Sequence, residues 1–107
     1  MRLLNKIWWA VSTLESKTES DAVDYAVSLG CLTLKLNVLG RKGWPDRLFV
    51  YRGSLIFIEF KRQGETPRKL QEYVHEKIRA HGFKTYVIDN LVEAKIILYK
   101  LVQGKLV

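Results

Sequence analysis

Gly43-Trp44-Pro45-Asp46, then Arg47-Leu48-Phe49-Val50-Tyr51, Arg52-Gly53-Ser54 and Leu55-Ile56-Phe57-Ile58-Glu59-Phe60-Lys61: this stretch decides how the 107-residue chain is read. Two apolar runs flank a short polar break, the pattern of a tight antiparallel hairpin. With Gly53-Ser54 as the two-residue turn, Arg52 pairs with Leu55, and counting back sets Asp46 opposite Lys61 with Glu59 diagonal to Asp46. Side chains alternate between faces along a strand. One face therefore carries Asp46, Glu59 and Lys61 with Leu48, Val50, Leu55 and Phe57, and the other carries Phe49, Tyr51, Ile56, Ile58 and Phe60. Diagonal neighbours lie about 7–8 Å apart, within the reach of two carboxylates sharing one cation. A hairpin apolar on both faces is expected to be covered on both, so its charges need partners or a metal. Taken alone, a salt bridge from Lys61 to Asp46 or Glu59 at the sheet margin is the better reading, since paired charges on strands are common.

Upstream, Asn37 to Pro45 reads as a loop in which Pro45 fixes its own φ and restricts Trp44. Cys31 to Leu36 reads as a strand. Before it, a helix capped at Ser16 or Thr18 runs to about Leu29 and stops at Gly30. Val23, Ala26 and Val27 form its apolar stripe, with Glu19 and Glu15 one and two turns earlier on the same side. Acids there suit the positive helix N-terminus, or one supplies a third carboxylate directed at the hairpin acids. Downstream, Thr66 is the expected cap and Pro67 the first residue of a helix running to His81 and ending at Gly82. Phe83 to Ile88 is a fourth strand, and Leu91 to Leu101 a last helix. The order predicts a small α/β sandwich with a central mixed β-sheet flanked by helices. A right-handed crossover through the Pro67 helix should make its flanking strands parallel.

The length suits one domain, and 48% hydrophobic residues with 3 Trp, 5 Tyr and 4 Phe exclude disorder. A net charge of +7 fits a polyanionic partner, nucleic acid before an anionic membrane. Lone Cys31, in an apolar run, excludes a disulfide within the chain and suits a reduced thiol in an intracellular protein. Residues 1–14 form an apolar extension containing Ile7-Trp8-Trp9-Ala10-Val11, too short for a membrane span and suited to packing on the domain or on a second copy. One Cys and two separated histidines make no zinc site, and no nucleophilic triad, P-loop or dinucleotide fingerprint is present. His75 and His81 are expected on a solvated helix face. Arg41, Lys42 and Arg47 border Asp46, and Arg62, Arg68 and Lys69 follow Lys61. That clustering suits contacts with backbone phosphates.

Glu19, Gly43-Trp44-Pro45-Asp46, Glu59-Phe60-Lys61 and Leu70-Gln71 follow one another as in the virus-type replication-repair nuclease (VRR-NUC) domain. The chain resembles that family, part of the PD-(D/E)xK nuclease superfamily, from roughly Glu15 to Val92. An acid two positions before a lysine is common in strands; the Pro-Asp loop, apolar hairpin, helical Glu and following Gln together make the likeness specific. The resemblance implies one nuclease domain over residues 1–107 with a restriction-endonuclease-like fold. It implies that Asp46, Glu59 and the Phe60 backbone carbonyl bind Mg²⁺ or Mn²⁺, and that Lys61 orients or activates the attacking water. Glu19 would be the helical acid, with Glu15 as the alternative, and Gln71 would steady a carboxylate or contact a phosphate. Trp44 departs from the smaller apolar residue expected before Pro-Asp, which suits either a base or sugar contact or packing.

The implied activity is that of a metal-dependent, structure-selective DNA endonuclease, a hydrolase acting on branched DNA in the manner of a Holliday-junction resolvase. The expected location is the cytoplasm of a bacterial or phage-infected cell, without membrane association. Spare apolar surface in Ile7, Trp8, Trp9, Val11 and the Ile96-Ile97-Leu98-Tyr99 run, together with symmetric cutting of two strands, predicts a homodimer. The alternatives are a non-catalytic nucleic-acid-binding module, a nickase or exonuclease of the same superfamily, or a peripheral membrane protein using Trp8-Trp9.

Overall fold

The computed structural model describes residues 13–36 and 42–106. Arg41 and the Trp8-Trp9 segment lie outside the described residues. Helix α1 (Thr13–Ser28) is followed by β1 (Leu32–Lys35), β2 (Arg47–Tyr51), β3 (Ser54–Phe60), α2 (Lys69–Ala80), β4 (Lys84–Ile88) and α3 (Leu91–Gln103). The strands form one sheet in the order β1-β2-β3-β4. The first two pairings are antiparallel, and β3 and β4, joined through α2, are parallel. This is the expected mixed sheet. Among the described residues no helix is long and apolar enough to cross a membrane.

The hairpin register differs from the expectation. Tyr51 pairs with Ser54 and Arg47 with Ile58, so Arg52-Gly53 is the turn and the next step of the ladder sets Asp46 opposite Glu59, not Lys61. Both turn residues have positive φ, 42° at Arg52 and 84° at Gly53, the sign pattern of a type I′ turn whose twist matches that of the strands. A turn over Gly53-Ser54 would instead put Gly in the first central position. Each pairing slides by two residues, so the faces remain as read while the acids move closer together.

Phe49, Ile56, Ile58, Phe60 and Ile88 form the core face, buried beneath Ala22 and Ala26 of α1 and Ala94, Ile97, Leu98 and Leu101 of α3. Each large side chain so buried contributes about 1.5–3 kcal/mol. Helix α1 starts ahead of Ser16, and its inward residues are Ala22 and Ala26, whereas Val27 is 57% exposed. Two alanines one turn apart let the helix lie close to the sheet. At α3, Asn90 Oδ1 accepts from the Glu93 N–H at 2.8 Å and caps the helix.

Helix α2 covers part of the opposite face. It begins two residues later than expected, because the Gln71 side-chain oxygen accepts from the Arg68 N–H at 2.9 Å and makes Arg68 the N-cap. His75 corrects a second expectation. It is 1% exposed, turned inward with Ile78, whereas His81 at the helix end is exposed. Cover on this face is incomplete among the described residues, since Leu32 and Leu34, paired with Val50 and Leu48, are 73% and 58% exposed.

Candidate active site

Pro45, buried, ends the approach to β2, and the next residue turns its carboxylate across to β3. Asp46 Oδ2 accepts from the Phe60 N–H at 2.7 Å, taking the place of a ladder carbonyl where β2 begins. On the strand's outer edge the Asp46 carbonyl accepts from the Leu36 N–H at 2.8 Å. Asp46 is therefore fixed to β1 through its backbone and to β3 through its side chain.

Glu59, 3% exposed, lies beside it on β3. Its Oε2 accepts from Gln71 Nε2 at 3.1 Å and faces Lys61 Nζ at 3.4 Å. Its Oε1 is buried with no hydrogen-bond partner among the described groups. Gln71 spans two elements, since its own oxygen holds the α2 cap while its nitrogen holds Glu59. Burial, and then the charge of Asp46, push the Glu59 carboxyl from 4.5 up to about 7, against the lowering effect of Lys61. Burial likewise raises Asp46, opposed by the Phe60 N–H. Buried Glu59 and half-buried Asp46 thus share one lysine, Lys61.

The two helical acids separate. Glu19 is clamped, with its Oε2 accepting from Arg47 Nε at 2.6 Å and from Lys35 Nζ at 2.7 Å. Glu15, one turn earlier, borders the acid pair. Burial and then the charges of Asp46 and Glu65 raise its pKa, against Lys61 and Arg62. Among the described residues, no three His, Cys, Asp or Glu side chains converge closely enough to hold a metal by themselves.

Asp46, Glu59, Lys61 and Gln71 are thus brought together, with both helical acids at the margin: Glu15 beside the acids, and Glu19 near enough to Asp46 to raise its pKa while paired with Arg47 and Lys35. Of the basic residues, Arg47 is drawn into the Glu19 clamp with its side chain 21% exposed, whereas Lys42, Arg62, Arg68 and Lys69 are exposed. Sequence reasoning missed Lys35 as the second cation on Glu19, and missed Glu65. Glu65 Oε1 accepts from the Arg62 N–H at 2.9 Å, folding the Gln63-Gly64 turn back toward Glu15. The spacing of Glu65 three residues after Arg62 is the signal that could have found it.

No family model matches the chain. Over 77 residues, 71% of this chain and 83% of the relative, it is 34% identical to "Putative nuclease p44" of Acyrthosiphon pisum secondary endosymbiont phage 1. A solved structure described as a VRR_NUC domain superposes with a TM-score of 0.75 at 29% identity, covering 82% of this chain and 97% of that one. With sequence and fold pointing the same way, the chain belongs to the VRR-NUC family of nuclease domains.

Proposed function

We propose that this domain is a metal-dependent endonuclease hydrolysing phosphodiester bonds in DNA, with branched DNA such as a four-way junction as its substrate. The observation that carries the reading is the buried, unpartnered Glu59 Oε1 beside Asp46. An uncompensated buried carboxylate oxygen costs stability, and a hard divalent cation is the partner that relieves it. The donor set fits such an ion. Mg²⁺ is commonly held by one or two carboxylates, with water and substrate phosphate oxygens completing the shell. Asp46 and Glu59 would supply the carboxylates and the Phe60 carbonyl a third protein oxygen, so the lack of a three-acid cluster is no obstacle. Of the two helical acids, we assign Glu15 to this site, because Glu19 is neutralised by Arg47 and Lys35.

When bound, Mg²⁺ or Mn²⁺ supplies a nucleophile at neutral pH and neutralises charge developing on phosphorus and the leaving oxygen. The remaining roles fall to the chain itself. Lys61, its side chain 12% exposed, is held against Glu59 and positioned to orient the attacking water and offset charge on the phosphate. Gln71 fixes the Glu59 carboxylate through Nε2, which would leave its other oxygen free to hold the cation. Exposed Lys42, Arg62, Arg68 and Lys69 would offer charge suited to backbone phosphates. A homodimer would present two such sites to the two strands of a junction.

The test is incubation of purified protein with labelled four-way junction, flap, duplex and single-stranded DNA in Mg²⁺, Mn²⁺ or EDTA. The proposal expects metal-dependent cuts, fastest on the junction. Binding without cleavage in either metal would leave a non-catalytic nucleic-acid-binding module. Light scattering of the free protein tests the dimer.

A further inference from the structure

A row of aromatic rings leads away from the acid pair. Trp44, two residues before Asp46, lies 6.5 Å from Phe57, and Phe57 lies 6.4 Å from Phe83, both measured between ring centroids. Trp44 is 36% and Phe83 47% exposed. The row is rigidly mounted. Gly43 sits so close to α2 that a Cβ there would come within 2.9 Å of the Leu70 carbonyl oxygen, Pro45 is buried, and Phe57 lies within β3. Beside it lies the uncovered apolar sheet face of Leu32 and Leu34.

At its far end the row meets a cavity of about 460 Å³ lined by Arg79, Phe83, Lys84, Thr85 and Tyr86. That volume suits one small ligand or a single nucleotide unit. Thr85, 5% exposed, forms part of its wall, with its hydroxyl buried and without a hydrogen-bond partner among the described groups. Arg79 reaches into the same region, donating from Nη2 to the Thr85 carbonyl at 2.9 Å.

Exposed Trp44 and Phe83, bridged by half-buried Phe57 with the rings tilted at 59° and 85° to one another, lead to a basic, aromatic-lined cavity, the composition of a single-strand nucleic-acid track. The row starts near the candidate active site, where exposed Lys42 precedes Trp44 by two residues and exposed Lys69 adjoins Leu70, which packs close to Gly43. A protein partner with an apolar face would match the leucines but leave the cavity's cations, Arg79 and Lys84, without purpose. We propose that an unpaired DNA strand leaving the cleavage site runs over Trp44, Phe57 and Phe83, with a nucleotide lodged in the Arg79–Lys84 cavity. This deepens the reading of the site as a branched-DNA nuclease, on which it rests. It would favour branches that carry an unpaired strand, such as flaps, because fully paired DNA, the arms of a four-way junction included, has no unstacked bases to offer the rings.

The experiment measures binding of the full chain in EDTA to labelled oligo-dT and to a blunt duplex of the same length. Phe83→Ala and Trp44→Leu are compared with wild type, with Phe83→Trp as the conservative control and thermal unfolding as the check on folding. Each truncation should weaken oligo-dT binding roughly fivefold to a hundredfold. Duplex binding should change less than twofold, and Phe83→Trp should bind oligo-dT like wild type. Equal loss on both DNAs, or unchanged oligo-dT binding, overturns the track. A truncation that turns a multimer into a monomer in light scattering also overturns it, since the row is then a contact between copies. Junction cleavage by wild type is scored separately. Cleavage with unchanged oligo-dT binding by the variants sinks the track alone, whereas selective loss without any wild-type cleavage supports the track and removes the nuclease reading.

Discussion

Glu59→Gln should make the metal-free protein more stable in alkaline solution, by an amount the site geometry sets. The Glu59 carboxyl, 3% exposed, is pushed from 4.5 to about 7, first by burial and then by Asp46. Between those two values the folded protein keeps a proton that the unfolded chain has released. The native state binds more protons there, so the free energy of unfolding falls as pH rises through that window. At about 1.4 kcal/mol per pK unit, the full effect is about 3 kcal/mol. Glutamine keeps the shape and an oxygen for Gln71 Nε2 but cannot ionise. Urea unfolding of wild type and variant in EDTA isolates the effect as a difference between the two proteins. That difference should shift by about 2–3 kcal/mol in the variant's favour between about pH 4.5 and about pH 8. Groups not coupled to Glu59 contribute equally to both proteins and cancel. A difference that stays flat with pH would refute the claim that burial and Asp46 outweigh Lys61 at the Glu59 carboxyl.

Three further outcomes follow from the same geometry. His75, 1% exposed, has its pKa lowered to about 4 by burial and then by Arg79 and Lys61, so wild type should lose stability as pH falls from 6.5 toward 4. His75→Leu should flatten that acid limb by about 3 kcal/mol in urea titrations at several pH values. Gly43→Ala forces a Cβ to within 2.9 Å of the Leu70 carbonyl at a φ of 92°, and should cost about 2–4 kcal/mol with a visibly lower Tm. Duplex affinity should fall steeply with salt. Lys42→Glu with Lys69→Glu should make the log–log slope shallower by about 0.9 for each phosphate no longer neutralised, measured by anisotropy across a salt series.

Much of this is legible in the chain itself. Alternating apolar runs around Arg52-Gly53-Ser54 specify the hairpin and its two faces, and the helix between Thr66 and Gly82 implies the parallel pair. The turn is misplaced by sequence reasoning because a glycine serves equally as the second residue of one mirror-type turn or the first of another, and local sequence does not choose. The faces are unaffected because the slip moves each pairing by two residues. His75 has the sequence surroundings of a surface residue, among charged neighbours, yet α2 sits low enough on the sheet to bury it one turn beyond Gln71. The pairing of Glu19 with Arg47 and Lys35 is beyond local pattern, because it depends on how α1 lies across β1 and β2. Gln71 is readable as a residue facing the site, but its second bond, to the α2 cap, comes only with the helix boundary.

The most direct test of the central claim, that Asp46 and Glu59 form the metal site of a nuclease, is the cleavage rate of Asp46→Asn on labelled four-way junction DNA in Mn²⁺. Asparagine can still accept from the Phe60 N–H, so fold and DNA binding should persist and be verified alongside. The account predicts a loss of at least about a thousandfold, matching the several kcal/mol that a bound metal supplies to the transition state. Cleavage by the folded variant at the wild-type rate would contradict it.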